Sequence, residues 1–236
     1  MGKNLIQQAR GKGGPRYRSP SFRFIGQITL HPQLSEVITG VVQDIMDCPG
    51  HSAPLMNVVY PDGKNALMVA PEGIHVGAKI ENNGSTVERG NVMHLKSIPP
   101  GTPIYNIESV PGDGGKFCRT SGGFARIIGP GVNGVQVQLP SKKERVFHEE
   151  CRATIGIIAG GGRPEKPFLK AGRKHFQMKA KNKLYPRSSA CKQNAVDHPF
   201  GNKRSSRKAK QRACGHFAPP GRKVGKLWPS RTGRKK

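Results

Sequence analysis

Charge in this chain is sorted by position. Of its 40 Lys and Arg, 6 lie in residues 1–23, 11 in residues 24–162 and 23 in residues 163–236, while the 14 Asp and Glu run none, 12 and 2. The middle is close to neutral, and the ends hold nearly all of the net charge of +26. Like charges at that density repel and resist compaction. Only the middle can therefore fold by burying its own apolar surface, and the ends need a polyanion to neutralise them.

The composition narrows what the middle can become. With 31 Gly and 20 Pro in 236 residues, long helices are disfavoured and short strands joined by tight turns are expected. The runs Val37-Ile38-Thr39-Gly40-Val41-Val42, Leu55-Met56-Asn57-Val58-Val59-Tyr60 and Ala66-Leu67-Met68-Val69-Ala70 read as strands. Between the last two, Pro61-Asp62-Gly63-Lys64-Asn65 predicts a hairpin turn. Ile74, Val76 and Ile80 close a strand-rich unit of the size of a small OB-type barrel. A second set of strands is predicted at 92–95, 103–107, 123–128, 135–139, 145–147 and 153–158, with turns such as Pro111-Gly112-Asp113-Gly114-Gly115 between them. The expected architecture is all-β: a basic extension over 1–23, small barrels over 24–83 and 84–162, and a basic extension over 163–236. A short helix is expected over 171–184, and no helix of ordinary length is needed before residue 160.

The basic ends point to nucleic acid rather than to membrane. A membrane-surface helix should carry Trp, Phe and Leu along one face, whereas the chain has one Trp and its basic segments are broken by Gly and Pro. No apolar run is long enough to span a bilayer, and residues 1–23 lack the apolar stretch and cleavage site of a secretory signal. Five Cys without regular spacing fit reduced thiols. In Gly11-Lys12-Gly13-Gly14-Pro15-Arg16-Tyr17-Arg18, glycine allows close backbone approach while Arg and Tyr contact phosphates and stack on bases. Free in water, this segment and the chain beyond Pro186 are expected to lack a fixed path.

Two chemical readings compete at the C-terminal end. Asp197-His198 is the raw material of a general base, but no nucleophile, phosphate loop or second carboxylate is tied to it by spacing. The structural reading has Asn194 and Asp197 fixing a turn, Pro199 stiffening it and Phe200 wedging against a base. His148, Cys151, Cys191, His198, Cys214 and His216 lack the paired spacing of a zinc site, so no metal ligands are assigned. A DNA-compacting role is the third possibility; it predicts equal affinity for duplex DNA and folded RNA.

Several long strings then carry a family likeness: Cys151-Arg152-Ala153-Thr154-Ile155-Gly156, the stretch from Gly160-Gly161-Gly162-Arg163-Pro164 to Lys170-Ala171-Gly172, Asn194 through Gly201, and Ala218-Pro219-Pro220-Gly221-Arg222-Lys223-Val224-Gly225. They strongly resemble the family of protein two of the large ribosomal subunit, in its archaeal form, over essentially the whole chain. The resemblance implies an OB-type barrel followed by a Src-homology-3-like barrel, with both ends extended into large-subunit rRNA near the peptidyl transferase region. It implies support of subunit association, tRNA binding and peptide bond formation without catalysis, and a place in the cytoplasmic large subunit. Its partners would be large-subunit rRNA, small-subunit rRNA in the joined ribosome and neighbouring ribosomal proteins, with no membrane and no small-molecule substrate. No cofactor is expected beyond Mg²⁺ or K⁺ that accompany rRNA.

The RNA-binding residues expected are Arg10, Lys12, Arg16, Tyr17, Arg18, Arg163, Lys170, Arg173, Lys174, Arg187, Asn194, Asp197, His198, Phe200, Arg222 and Lys223. The chain departs from the family pattern before the motif, with Ser189-Ala190-Cys191-Lys192-Gln193 in place of Arg-Gly-Val-Ala-Met. It departs again after it, where Gly201-Asn202-Lys203-Arg204 replaces a glycine run and Phe200 stands where many bacterial members have a second histidine. Fewer glycines mean less close backbone approach to phosphate, which longer basic side chains can offset.

Overall fold

A computed structural model describes residues 2–32, 36–131, 133–202 and 213–227. The chain divides into two compact units. One is Ser21–Leu169, and the other joins Met1–Pro20 to Lys170–Lys236.

The Ser21–Leu169 unit is built from ten strands: β1 Ile38–Met46, β2 Leu55–Val59, β3 Asn65–Val69, β4 Lys79–Asn82, β5 Val92–His94, β6 Pro103–Tyr105, β7 Ala125–Gly131, β8 Gly134–Gln138, β9 Glu144–Phe147 and β10 Arg152–Ile155. The expected all-β class with two barrel bodies holds. Each body has its own apolar core, one around Val42, Met56, Val58, Met68 and Ile80, the other around Met93, Ile104, Ile127, Val137, Phe147 and Ala153. The predicted hairpin is β2–β3, closed by Tyr60 N donating to Lys64 O at 3.0 Å, with Gly63 in the left-handed region. The strands expected in the second body all appear, shifted by one to three residues at their ends.

Two features differ from the sequence reading. The bodies are not separate sheets: the strand order β3-β2-β1-β4-β5-β10-β6-β7-β8-β9 is continuous, and the halves meet at a parallel bridge between Asn82 and Val92. A third cluster of Ile28, Cys48, Leu55, Val69, Tyr105 and Ile158 draws on both halves, and the Tyr105 hydroxyl donates to Val69 O at 3.0 Å. Burial pushes the pKa of that hydroxyl well above the ordinary phenol value. The closing strand of the first body also begins later than expected, at Lys79. Gly73 and Gly77 both take positive φ, so the chain turns twice before it can pair with β1, leaving Val76 exposed.

One buried ion pair ties this unit together. Glu108 and Arg152 are 0% and 1% exposed. The Glu108 carboxylate accepts from Arg152 Nη2 and from Arg152 N, both at 2.8 Å, and from the amides of Gly112 and Gly114 at 3.2 and 3.3 Å. Arg152 Nη1 donates to His31 O at 2.7 Å, linking β10 to the segment that precedes β1. Cys151 beside it is buried, and burial followed by the Glu108 charge pushes its thiol up to about 11. All five cysteines are free thiols.

The Met1–Pro20 and Lys170–Lys236 unit is of another kind. It contains α1 Ile6–Gly11 and α2 Ala171–Ala180, and neither helix buries a residue. The helix expected over 171–184 stops at Ala180 because Asn182 takes positive φ and Lys183 N turns back to Met178 O at 2.8 Å. Where the sequence predicts tails that take shape only on a partner, the structure gives each tail the other as a partner. Lys3 N donates to Val196 O at 2.9 Å, and Asn182 Nδ2 donates to Arg16 O and Arg18 O at 2.7 and 2.5 Å. Among the described residues, only Leu5, His198 and Gly201 are buried in this unit.

Replacing Glu108 with Ala leaves the Arg152 guanidinium buried without its counter-charge. The expected outcome is a loss of about 3–5 kcal/mol in the stability of the barrel unit, read as a lower denaturation midpoint by tryptophan-independent circular dichroism.

Candidate nucleic-acid interface

Taken with its bounds, the unit of the two chain ends holds 26 Lys and Arg and a single acid, Asp197. Fifteen of the sixteen residues expected to bind RNA lie in it; Arg163 lies in the barrel unit, where its Nε donates to Ser121 Oγ at 2.9 Å.

The N-terminal candidates occupy two successive turns. Arg10 is in the last turn of α1 and Lys12 follows it, both exposed. Arg16 and Tyr17 form a 3₁₀ turn begun by Pro15, and Arg18 Nε donates back to Gly13 O at 2.6 Å. Tyr17 is half-buried and shares a cleft with His175, Lys179, Lys183 and Tyr185, none of which the sequence reading chose. Lys170 precedes α2, and Arg173 and Lys174 fall in its first turns. Cations there oppose the helix dipole, which an anion would satisfy. Arg222 and Lys223 are exposed on a turn closed by their amides donating to Pro219 O, and Lys223 Nζ donates to His216 O at 3.2 Å.

The motif loop at 193–202 is closed by main-chain bonds. Asp197 N and His198 N both donate to Asn194 O, at 3.0 and 3.1 Å, Gly201 N donates to His198 O at 2.8 Å, and Asn202 N donates to Gln193 O at 3.1 Å. Gly201 is required for this closure: a Cβ there would sit 2.3 Å from Gln193 O and 2.4 Å from Asn194 O. Its missing side chain serves the loop itself. Of the added basic residues after it, Lys203 and Arg204 lie outside the described residues.

His198 is the loop's buried centre, 6% exposed. Its Nδ1 accepts from Phe200 N at 3.1 Å, and the two rings lie 5.1 Å apart, so Phe200 is half-engaged inside the loop. Burial lowers the His198 pKa below its ordinary value. Asp197 is exposed beside it. A histidine whose Nδ1 accepts from the backbone two residues on fills the loop that it closes. Among the described residues no three His, Cys, Asp or Glu gather as a metal site.

Two cavities flank the loop. One, of about 570 Å³, is walled by Asn4, Ile6, Gln7 and Arg10 of the N-terminal end and by Leu184, Pro186 to Ser188, Lys192 to Asn194 and Asp197 of the C-terminal end. It brings together Arg10, Arg187, Asn194 and Asp197. The other collects Lys3, Gln8, Asp197, His198 and Arg222. Lys3, Gln7, Lys192 and Gln193 were not chosen from sequence; only the density of charge near Lys192 could have marked any of them.

Comparison with known proteins decides the family. The family model described as Ribosomal Proteins L2, RNA binding N-terminal domain, matches residues 4–82, and that described as Ribosomal Proteins L2, C-terminal domain, matches residues 88–217. Large ribosomal subunit protein uL2 of Methanococcus vannielii is 44% identical across all of both chains. The chain belongs to the ribosomal protein L2 family. The uL2 proteins of Archaeoglobus fulgidus and Natronomonas pharaonis are each 45% identical, over 99% of this chain and 99% and 97% of theirs. Membership in the L2 family makes the chain a structural ribosomal protein and not an enzyme, and the archaeal character read from its motifs agrees with these relatives.

Because the folded pKa of His198 lies below that of the free side chain, the opened loop binds a proton more tightly than the closed one. The loop is therefore most stable above the ordinary histidine pKa of about 6.5 and loosens as pH falls through that value toward the folded pKa. His198 ring resonances followed by NMR should titrate below the ordinary histidine value of about 6.5, with the Phe200 amide losing its bond over the same range.

Proposed function

We propose that this L2-family chain is a scaffold that binds large-subunit rRNA near the peptidyl transferase region and supports subunit association, tRNA binding and peptide bond formation without catalysing it. Residues 24–83 and 84–162 act as folded anchors, and residues 1–23 and 163–236 run among the phosphates. Arg10, Lys12, Arg16, Arg18, Arg163, Lys170, Arg173, Lys174, Arg187, Arg222 and Lys223 neutralise phosphates; Tyr17 and Phe200 offer ring faces; Asn194, Asp197 and His198 shape the loop nearest the functional core. Small-subunit rRNA in the joined ribosome and neighbouring ribosomal proteins are its further partners, and the cytoplasm is its location.

One observation carries this reading. The unit made from the two chain ends holds 26 cations around a core of only Leu5, His198 and Gly201 among its described residues. So little burial cannot offset the ordering of the arms and the repulsion between them; phosphate contact can. The barrel unit has ample core and near-neutral charge, so it needs no such help.

The protein should remain with the large subunit through a high-salt wash; its release into the supernatant would count against the proposal. In binding to isolated large-subunit rRNA, Arg222→Ala should weaken affinity evenly and flatten the log affinity against log salt slope by about one. His198→Ala should give a graded defect in subunit joining, and purified protein should show no turnover with or without the substitution.

A further inference from the structure

The cavity between the two chain ends has a composition that phosphate binding alone does not explain. Arg10, Arg187 and Lys192 stand around it, and among the described residues none of the three holds an ion pair with Asp197 or with any other acid. Three cations left without counter-ions around about 570 Å³ call for an anion. Yet the same wall holds Gln7, Gln193 and Asn194, whose amides both donate and accept, and Asp197, the one acid of the entire unit. A carboxylate placed in a phosphate site would repel its ligand. It makes sense opposite a group that offers two donors.

We propose that this cavity receives one unpaired guanine nucleotide of the rRNA. The phosphate lies against Arg10, Arg187 and Lys192, and the base turns its Watson–Crick edge, with donors at N1 and N2, toward the Asp197 carboxylate. Single-stranded RNA is read in this way, by bases splayed from the stack and bonded on their edges. Adenine and cytosine place an acceptor beside their amine, which the carboxylate rejects. Gln7 and Arg10 come from one end of the chain and Lys192 and Asp197 from the other, so neither tail alone makes the receptor. This inference rests on the rRNA-binding reading above and adds to it a built site for a single nucleotide.

The test uses the full-length protein bound to large-subunit rRNA, probed with kethoxal, which attacks guanine N1 and N2, and with dimethyl sulfate, which attacks adenine and cytosine. Wild-type protein should shield one guanine whose reactivity rises about tenfold with Asp197→Ala. The double substitution Gln7→Ala, Lys192→Ala on the opposite walls should expose the same guanine, with the other protections kept. If Asp197→Ala instead loses every protection, the double substitution decides. The inference is overturned if both variants leave all guanines as in wild type, if the exposed base is adenine or cytosine, or if RNA-free protein binds free guanosine monophosphate as tightly as the complex shields its guanine. Failure of wild-type protein to bind rRNA at all would sink the broader proposal and is read directly from the same gels.

Discussion

The barrel unit depends on a charge it had every physical reason to avoid burying. A guanidinium and a carboxylate removed from water are costly unless their bonding capacity is filled, and here it largely is. Glu108 accepts four bonds, two of them from Arg152, and Arg152 reaches across to His31 O. Those bonds come from three stretches of chain: the segment before β1, the 108–114 turn and β10. β10 is the strand that slots between β5 and β6, so its register determines whether the second body closes. A slip of one residue would turn Arg152 to the other face and leave Glu108 alone inside. The pair thus adds its own penalty to any register but this one.

The arm unit is organised by the opposite condition. It has almost no interior, and its cations have one acid among them. Its order comes from short-range backbone closure: turns at Asn182 and Gly221 in the left-handed region, and the nested bonds of residues 193–202 about His198. Each such bond adds only about 1 kcal/mol net, far less than fixing these residues costs. The loop that most resembles a catalytic motif is in this sense the arm unit's substitute for a core.

This contrast explains what the sequence made legible. Strands β2, β3 and β5 to β10 announce themselves through apolar alternation and turn residues, which are local signals. β4 begins later than its apolar residues suggest because Gly73 and Gly77 delay it, and nothing in Ile74-His75-Val76 says that the turn continues. Arg152 stands in a string that resembles the family; its burial depends on Glu108, 44 residues away. Exposed cations such as Arg10 and Arg222 were legible from composition alone. Gln7 and Lys192 were not, because what makes them neighbours is contact between opposite ends of the chain.

That contact also sets an order of events. Joining Lys3 to Val196 in a flexible chain would close a loop of almost two hundred residues, at an entropic cost of about 4–5 kcal/mol before any strain. The Lys3 bond, the two Asn182 bonds to Arg16 O and Arg18 O, at about 1 kcal/mol each, and a buried Leu5 barely match it. If residues 21–169 are already folded, the free length is confined to the arms and the closure becomes cheaper. A polyanion that drew both arms to one place would lower it again. The barrels are therefore expected to form first and the arms last, and a cavity walled by both ends is complete only once both arms have closed.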